Sequence, residues 1–541
     1  MTLASGSSSS VASSELDLVE LGLLPPLPRA FLAGSDRDLL APLEFLAPGT
    51  LPAVRRAATD RSALAAGLAA ANAGYGHARA EELAAKLADP ATAVVVTGQQ
   101  PGLFGGPLYA LSKAVAAARW AAELEASGQP AVAVYWIATE DHDFRECSWA
   151  AFAAPGGQQR VDLGADEQQL MPVGMRSFGP RIERVLAELR AANASERFGD
   201  WCDTLAEWYT PTARFGEAFA RLLVHLLGER CPLLLDAMLP AVKHAQQPWL
   251  RALVERRQAV DEALVQASAR VAERGYPLQV TPQPGASPLF FLSGGERRRI
   301  VWGADETWSL RGQESRSRPL GELQEAITDN PAVVMPGVLC RPLVQDAILG
   351  ATLQVMGPGE MSYLPQLASL YDLLEVPAPA TALRPQVLLL GGNHLKKLAA
   401  ARLTVRDLIA PDLDLDRLLA GADATERLRP VEQQLAALEA ALETAAEPVN
   451  AELGSALDKT GAQLRRGVDQ FGQRLTAALG RADAVERGRV EGLYRWLRPG
   501  GKLQERVLSS ADPFGRYGPA VVDALFDQLT LDGGRLQVIT P

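Results

Sequence analysis

Four consecutive residues, Glu140-Asp141-His142-Asp143, bring three carboxylates and one imidazole together. A carboxylate can orient an imidazole that accepts a proton, and the same groups can ligate Mg²⁺ or Zn²⁺. If this segment is extended, Glu140 and His142 share one face, and Asp141 and Asp143 share the other. Because the chain has only five histidines, we expect His142 to be a general base assisted by Asp141 and Asp143. A solvated charged turn is the structural alternative.

A glycine-rich loop, GQQPGLFGG at residues 98–106, is the second cluster that could do chemistry. It matches neither the phosphate-binding loop of nucleoside triphosphatases nor the dinucleotide-binding fingerprint of Rossmann folds. The nearest lysine, Lys113, lies two turns inside the following helix rather than beside the loop. Two adjacent glutamines are costly to bury without partners, so the loop favours ligand binding over a purely structural turn. The candidate binding residues here are Gly98, Gln99, Gln100, Gly105, Gly106 and Lys113.

Two later segments add charged residues beside glycines. RPLVQD and GPGEMSY, within residues 341–363, contain a Gly-Pro-Gly turn that should leave free N–H groups at a helix start. In PGGKLQER, Lys502 and Arg506 are four residues apart, on one helix face, where they could hold an anion or form ion pairs. Cys147 is interpreted as a small buried residue rather than a nucleophile. The candidate binding residues in the two segments are Arg341, Gln345, Gly357, Gly359, Glu360, Tyr363, Lys502 and Arg506.

The elements that must position the first two clusters form one predicted βαβ unit. Val94–Val96 is a short apolar strand, a helix begins after Pro107 and ends near Gly128, and Val132–Ala138 is a second strand. The uninterrupted apolar run of the second strand is typical of a parallel strand that is covered on both faces. Ligands bind at the carboxyl edge of such sheets, where both clusters fall.

Length and composition limit the class of protein. At 541 residues, the chain should form two or three domains. Acidic residues exceed basic ones by 64 to 53, which argues against nucleic acid or an anionic membrane as the main partner. The apolar runs are too short to span a membrane, and the N-terminus lacks the features of a secretory signal. Four scattered cysteines give no disulfide framework, so we expect a soluble, reduced, cytoplasmic protein with a frayed N-terminal tail.

Changes in composition and in the hydrophobic pattern divide the chain into four parts. Residues 1–375 read as an α/β core with helical insertions, and residues 376–423 as a connecting segment. Residues 424–490 carry a heptad pattern that breaks near Pro448, which predicts a coiled-coil helical hairpin. Residues 491–541 should return to the core. The hairpin seam exposes more apolar surface than two helices can hide, which predicts a homodimer. Its predicted seam residues are Leu428, Val431, Leu435, Leu438, Leu442, Leu457, Leu464, Val468, Phe471 and Leu475.

Taken together, TGQQPGLFGGPLYALSK, YWIATEDHDF, RPLVQD with GPGEMSY, and PGGKLQERV resemble the BshC family of bacillithiol biosynthesis. The resemblance covers nearly the whole chain in the right order. It implies a Rossmann-like core, a connecting segment and a coiled coil that supports dimerisation. The implied reaction joins the carboxyl group of L-cysteine to the amino group of glucosaminyl-malate, giving the low-molecular-weight thiol bacillithiol. The segment Arg145–Trp149 departs from the pattern of the family.

The implied reaction needs an activated carboxyl group, because a carboxylate is a poor electrophile. An acyl phosphate or acyl adenylate would supply it, which implies ATP/ADP and Mg²⁺ as cofactors. Gln99 and Gln100 would then bind carboxylate or phosphate oxygens, Glu360 an ammonium group and Arg341 the malyl group, while His142 takes the proton of the amine. Two other classes of function remain open: a metal-dependent hydrolase using the Asp-His-Asp cluster, and a non-enzymatic nucleotide-binding scaffold built on the coiled coil.

Overall fold

The computed structural model describes residues 15–541, apart from residues 55–56, 155–156, 194, 284, 412, 448–449 and 483. The predicted N-terminal tail and the predicted break at Pro448 lie outside the described residues. The chain forms two compact units. Within the described residues, one unit contains Glu15–Leu390 together with Lys502–Pro541, and the other contains Gly391–Gly501.

The strands are β1 (Glu15–Asp17), β2 (Glu44–Phe45), β3 (Ala93–Gln99), β4 (Ala131–Ile137), β5 (Trp149–Ala154), β6 (Gly157–Asp162), β7 (Leu233–Asp236), β8 (Ala286–Ser293), β9 (Glu296–Trp302), β10 (Thr307–Leu310), β11 (Arg318–Pro319), β12 (Val334–Pro336), β13 (Leu353–Met356), β14 (Ala380–Leu383), β15 (Gln386–Leu389) and β16 (Arg535–Ile539).

The helices are α1 (Pro26–Leu32), α2 (Ser62–Gly74), α3 (Ala80–Ala88), α4 (Leu108–Ala126), α5 (Phe144–Cys147), α6 (Arg181–Ala192), α7 (Glu196–Trp208), α8 (Phe215–Leu227), α9 (Pro240–Glu255), α10 (Arg257–Glu273), α11 (Leu320–Asp329), α12 (Arg341–Leu349), α13 (Pro358–Tyr363), α14 (Ser369–Leu373), α15 (Gly392–Ala400), α16 (Val405–Ile409), α17 (Leu415–Ala446), α18 (Asn450–Ala482), α19 (Ala484–Leu497), α20 (Ala511–Tyr517) and α21 (Ala520–Gln528).

A six-stranded parallel sheet forms the centre of the larger unit, with the strand order β2-β14-β13-β3-β4-β7. The predicted βαβ unit is confirmed: β3 and β4 are parallel neighbours joined by α4. β14 belongs to this sheet, so the compact core extends past the sequence-based boundary at residue 375 to Leu390. The predicted fold class, a Rossmann-like parallel sheet with helices and a C-terminal coiled coil, is confirmed.

Alternating side chains of the central strands enter two separate hydrophobic clusters. Val94 and Val96 of β3 pack in a cluster with residues of α2, α3 and α9. Ala93 and Val95 pack on the opposite face with residues of α4. Both faces are therefore covered, which explains why the sequences of β3 and β4 show no polar alternation.

A five-stranded antiparallel sheet, with the order β11-β10-β9-β8-β12, belongs to the same unit. The predicted turn at Gly294-Gly295 joins β8 to β9, and both glycines have positive φ angles, of 59° and 84°. This hairpin matters for the site because β9 carries Arg297, Arg298 and Arg299 in succession.

The C-terminal segment completes the core from Lys502 on, and not from residue 491 as the sequence predicts, because Gly391–Gly501 forms the other unit. β16 pairs with β15 in parallel and with β1 in antiparallel orientation. The Arg384 guanidinium donates to both carboxylate oxygens of Glu505, at 2.9 and 2.6 Å. Glu505 also accepts from the Val387 N–H at 3.0 Å, and both charged side chains are buried. This two-pronged ion pair ties the segment around residue 505 to the strands β14 and β15.

The second unit contains the predicted helical hairpin. Leu428 of α17 lies beside Gly472 of α18, and Glu439 pairs with Arg465 at 2.8 Å, so the two helices run antiparallel. Three predicted seam residues face solvent instead: Val431 is 39% exposed, Leu438 45% and Phe471 56%. In the described residues, no helix is both long enough and apolar enough to cross a membrane.

The buried ion pair predicts a large stability effect. Arg384→Met leaves the Glu505 carboxylate buried without its partner and should lower the free energy of unfolding by about 3–5 kcal/mol. Denaturant unfolding followed by circular dichroism measures the change. Arg535→Met, which removes the more exposed pair with Asp17, is the matched control and should cost at most about 1 kcal/mol. Equal midpoints for the two variants would contradict the structural role of the buried pair.

Candidate active site

A cleft of about 510 Å³ lies at the carboxyl edge of the central sheet, between the ends of β3 and β4 and the start of α13. This volume is within the usual range for small-molecule sites. Most sequence-predicted binding residues line this cleft, together with Asp141. They are Gly98, Gln99, Gln100, Lys113, Arg341, Gly357, Gly359, Glu360, Tyr363 and Arg506.

Lys113 reaches the glycine-rich loop, contrary to the sequence-based expectation. Its Nζ donates to the carbonyl oxygen of Gly98 at 2.7 Å, to Oε1 of Gln99 at 3.2 Å and to Oε2 of Glu360 at 2.5 Å. Side chains in a helix tilt toward its N-terminus, so a lysine in the second turn points back to the preceding loop. The expectation that Lys113 lies away from the loop is therefore wrong.

Glu360 is held as a carboxylate by two cations and one backbone N–H group. Burial alone would raise the pKa of Glu360, but Lys113, Arg341 and the N–H of Gly357 together hold it below its usual value. The Gly357 N–H donates to Oε2 of Glu360 at 2.7 Å. The expected free N–H at this helix start is therefore already used by a side chain of the same turn.

Gln345 fixes the position of the Arg341 side chain through a hydrogen bond. The Arg341 guanidinium donates to Oε1 of Gln345 at 2.9 Å and lies 3.5 Å from the hydroxyl of Tyr363. Gln345 is buried and does not line the cleft, so it positions Arg341 instead of meeting a ligand. Next to it, burial raises the pKa of Asp346 to about 7, although hydrogen bonds from Tyr371 and Gln345 oppose this rise.

The residues after β4 do not continue as a strand, so the predicted two-faced arrangement of residues 140–143 is wrong. Asp141 points to the cleft, where its Oδ2 accepts from Nε2 of Gln100 at 2.8 Å and its Oδ1 accepts from the His142 N–H at 2.7 Å. Arg297 lies 3.4 Å from the same carboxylate. Three donors therefore fix its orientation.

His142 has one ring nitrogen occupied by an arginine. Arg297 donates to Nδ1 of His142 at 2.9 Å. Because a guanidinium always donates, Nδ1 is the acceptor, and the proton of the neutral ring is on Nε2. Burial and then the positive charge of Arg297 lower the pKa of His142. These contacts favour a neutral imidazole whose accessible nitrogen donates a hydrogen bond.

The other carboxylates of the cluster have separate roles. Glu140 is buried in an ion pair with Lys243. Asp143 caps the short helix α5, because its carboxylate accepts from the N–H groups of Arg145 and Glu146. That helix places Glu146 in the cleft lining, and desolvation, then the negative charges of Asp143 and Asp141, raise the pKa of Glu146.

Several predicted site residues do not line the cleft. Gly105 and Gly106 have φ angles of 85° and 64°, and a Cβ on Gly105 would lie 3.0 Å from Ser510, so these glycines serve backbone conformation and packing. Lys502 is exposed and absent from the cleft lining. Arg506 does line it, from a single 3₁₀ turn at Gln504–Arg506, so the predicted α-helical face shared with Lys502 is not formed.

Cys147 is a buried free thiol, as the sequence predicts. Its Sγ lies 3.0 Å from Oε1 of Gln100, and burial raises its pKa well above the usual value. A thiol that resists ionisation is a poor nucleophile, so its contact with Gln100 is structural.

Sequence reasoning missed Tyr109, Arg297 and Arg384 in the cleft lining. Tyr109 is near Gln99, with 3.4 Å between its hydroxyl and Nε2, and burial raises its pKa to about 12. Arg297 and Arg384 come from other strands and carry no local motif. In the described part of the chain, no group of three or more His, Cys, Asp or Glu side chains is arranged to hold a metal ion.

Comparisons with known proteins agree along most of the chain. The family model for the N-terminal Rossmann-like domain of bacillithiol biosynthesis BshC matches residues 50–385, and that for the C-terminal coiled-coil domain of BshC matches residues 387–541. A protein of Salinibacter ruber named "Putative cysteine ligase BshC" is 30% identical over 90% of this chain and 91% of its own. Proteins of the same name from Solibacter usitatus and Geobacillus thermodenitrificans are 29% and 28% identical, over 83% and 81% of this chain and 84% and 83% of theirs.

The contact between Arg297 and His142 predicts a titration. The ring of His142 should titrate below its ordinary value of about 6.5, and Arg297→Gln should raise this pKa, as followed by NMR of the ring nitrogens. Because the folded state has the lower pKa, the unfolded chain binds the proton first. His142 therefore lowers stability as the pH falls below about 6.5. The signal of His225, on α8, should titrate identically in both proteins, and an unchanged His142 would contradict the assigned hydrogen bond.

Proposed function

This chain belongs to the BshC family of bacillithiol biosynthesis, and on that premise we propose that it is a ligase that joins L-cysteine to glucosaminyl-malate through an amide bond. The observation that carries the proposal is one cleft with both signs of charge. Lys113, Arg341 and Arg384 contribute cations to its wall, and Asp141 and Glu146 contribute carboxylates. An amino acid and an anionic acyl acceptor together need both kinds of group.

The cations would orient the two substrates. Arg341, which Gln345 holds in place, suits a carboxylate of the malyl group, because a guanidinium can bind both oxygens. Glu360 is already paired with Lys113, so recognition of an ammonium group there is shared with an internal cation. We therefore extend ammonium recognition to two further carboxylates that line the cleft, Asp141 and Glu146.

Activation of the cysteine carboxylate calls for a nucleotide such as ATP, which supplies a phosphoryl or adenylyl group. The cations of the cleft fit its phosphates. Mg²⁺ fits only together with those phosphates, since the described residues offer no complete metal cluster and Mg²⁺ commonly takes one or two carboxylates beside phosphate oxygens.

We propose Glu146 as the proton acceptor of the reaction. As the amine nitrogen forms its bond to the activated carbonyl carbon, the bond from that carbon to the phosphate-bearing oxygen breaks. The proton lost by the nitrogen passes to Glu146, whose raised pKa brings it closer to that of an amine. His142 as the base stays a prediction from the sequence, and the Arg297 contact at Nδ1 argues against it.

The contacts also bear on the two other classes of function. A hydrolytic metal at the Asp-His-Asp cluster would have to share Asp141 and His142 with the Arg297 cation, which repels a metal ion. Asp143 is used in capping α5. A non-enzymatic scaffold would not need a cleft with oriented carboxylates. The ligase is therefore the better-supported class.

The ligase proposal is tested with purified protein, L-cysteine, glucosaminyl-malate, ATP and Mg²⁺, with bacillithiol measured by mass spectrometry. We expect product only when nucleotide is present. Glu146→Gln should lower turnover by about 10²–10⁴-fold, the usual contribution of a general base. His142→Ala should lower it less than tenfold if the ring only donates a hydrogen bond.

Two controls make that result decisive. Glu183→Gln and His244→Ala remove the same side-chain types from α6 and α9, outside the cleft, and should leave turnover unchanged. A large loss in His142→Ala with little loss in Glu146→Gln would restore His142 as the base. Absence of product from the wild-type protein with every nucleotide tried would overturn the ligase proposal.

We further propose that the hairpin of α17 and α18 forms a homodimer. Its exposed apolar side chains, Val431, Leu438, Leu453 and Phe471, are unpartnered within the described chain. Exposed apolar side chains recurring along one helical pair typically mark an interface. A second copy of the same hairpin is the self-complementary partner that such a seam suits.

The dimer is tested by light scattering coupled to size-exclusion chromatography. Leu438→Glu together with Phe471→Glu should convert a dimer to a monomer while the far-ultraviolet circular dichroism is retained. Val265→Glu, at an equally exposed position on α10, should leave the mass unchanged. A wild-type chain that stays monomeric at high concentration would exclude this assembly.

A further inference from the structure

One face of the antiparallel sheet carries a cluster of arginines that the proposed reaction has not used. Arg297 and Arg299 are two residues apart on β9, so they project to the same face. Phe290 of β8 lies directly opposite Arg299 in the register. Arg311 directly follows β10, and its backbone N–H donates to the carbonyl oxygen of Arg299 at 2.9 Å.

Two arginines of the cluster, Arg297 and Arg299, contact the same aromatic ring, that of Phe290. The guanidinium carbon of Arg297 lies 3.7 Å from the centroid of the Phe290 ring, and that of Arg299 lies 5.2 Å from it. Each cation is attracted to the face of the ring, which holds the guanidinium groups in place. Two like charges are therefore ordered side by side on an apolar support.

The positive charge of the cluster is poorly compensated. Asp141 lies 3.4 Å from Arg297, whereas no carboxylate in the described chain lies within ion-pair distance of Arg299 or Arg311. Burial, and then the charge of Arg311, lower the pKa of Arg299. The neighbouring Arg298, by contrast, is paired with Glu296 at 2.6 Å. Like charges facing each other across neighbouring strands cost stability, and a bound anion would offset this cost.

The three arginines of the cluster and the paired Arg298 line a pocket of about 310 Å³ that also contains His142, Leu170 and Phe290. A smaller space of about 160 Å³, bounded by Asp141, His142, Arg297 and Arg299 among others, lies next to it. Asp141 and Arg297 also line the main cleft. Arg297 is thus common to the walls of all three spaces.

We propose that this arginine pocket is a second oxyanion subsite, which binds a phosphate or carboxylate group of a ligand whose other end lies in the main cleft. Guanidinium groups suit both anions, because their planar N–H pairs match two oxygens of a phosphate or a carboxylate. The proposal rests on the proposed function, since it extends the same cleft. It assigns Arg299 and Arg311 to binding, and it makes Arg297 the link between the two subsites.

Two sources could supply the anion. One is the phosphate chain of the nucleotide, and the other is the dicarboxylate end of the acyl acceptor. Inorganic phosphate and malate are the simple probes for the two sources. Each is titrated into the full-length protein by calorimetry at fixed ionic strength, first into the wild type and then into Arg299→Gln/Arg311→Gln.

We expect the double variant to bind the preferred probe at least tenfold more weakly than the wild type. Arg316→Gln removes an exposed arginine from the loop after β10 and should bind as the wild type does. Tighter binding of phosphate would assign the pocket to the nucleotide, and tighter binding of malate would assign it to the acyl acceptor. The double variant should also melt no lower than the wild type, because it loses a like-charge repulsion.

The proposal fails if neither anion binds the wild type at millimolar concentration, or if the double variant binds as tightly as the wild type. Both results are independent of turnover, so they are distinguishable from failure of the ligase proposal. If the ligase is active, the double variant should raise the KM of one substrate while kcat changes less. An unchanged KM for every substrate would show that the pocket takes no part in substrate binding.

Discussion

The ion pair between the buried Lys113 and the partly buried Glu360 is the contact around which the cleft is assembled. It joins α4 to α13, two elements separated by almost 250 residues of sequence, at the edge of the central sheet. Desolvating both charges is costly, so the pair is maintained only where further partners support it. The carbonyl oxygen of Gly98, the N–H of Gly357 and the nearby charge of Arg341 provide that support. Removal of either partner would leave an unpaired charge in the wall of the cleft.

The acidic cluster after β4 shows how one short sequence is divided among several tasks. Because the chain turns as soon as the strand ends, neighbouring side chains point in different directions. Glu140 pairs with Lys243 inside the protein, Asp141 faces the cleft, and Asp143 caps α5. The capped helix then brings Glu146 to the cleft. Glu140 and Asp143 therefore have structural roles, although the motif resembles one catalytic unit. The helix that Asp143 caps carries Glu146, three residues beyond the motif.

Cations reach the cleft from every side of the core. Lys113 comes from α4, Arg341 from α12, Arg297 from the antiparallel sheet and Arg384 from the chain after β14. Their charges are not equivalent, because Lys113 and Arg384 each form an ion pair with a carboxylate, whereas no carboxylate in the described chain lies within ion-pair distance of Arg299 or Arg311, beyond Arg297. This difference between paired and unpaired charge is the basis on which we propose an extended anionic ligand.

The sequence by itself determined the βαβ unit, the antiparallel hairpin of long helices and the family, because hydrophobic periods and glycine or proline breaks act over a few residues. It also placed most cleft residues correctly, since parallel strands end at one edge. Only the tertiary structure decided which side chains meet: Lys113 with Glu360, Arg297 with His142, and Arg384 with Glu505. These contacts join residues that are far apart in sequence, where no local period relates them. The roles of charged residues depend on such partners, because burial and neighbouring charge set their protonation and orientation.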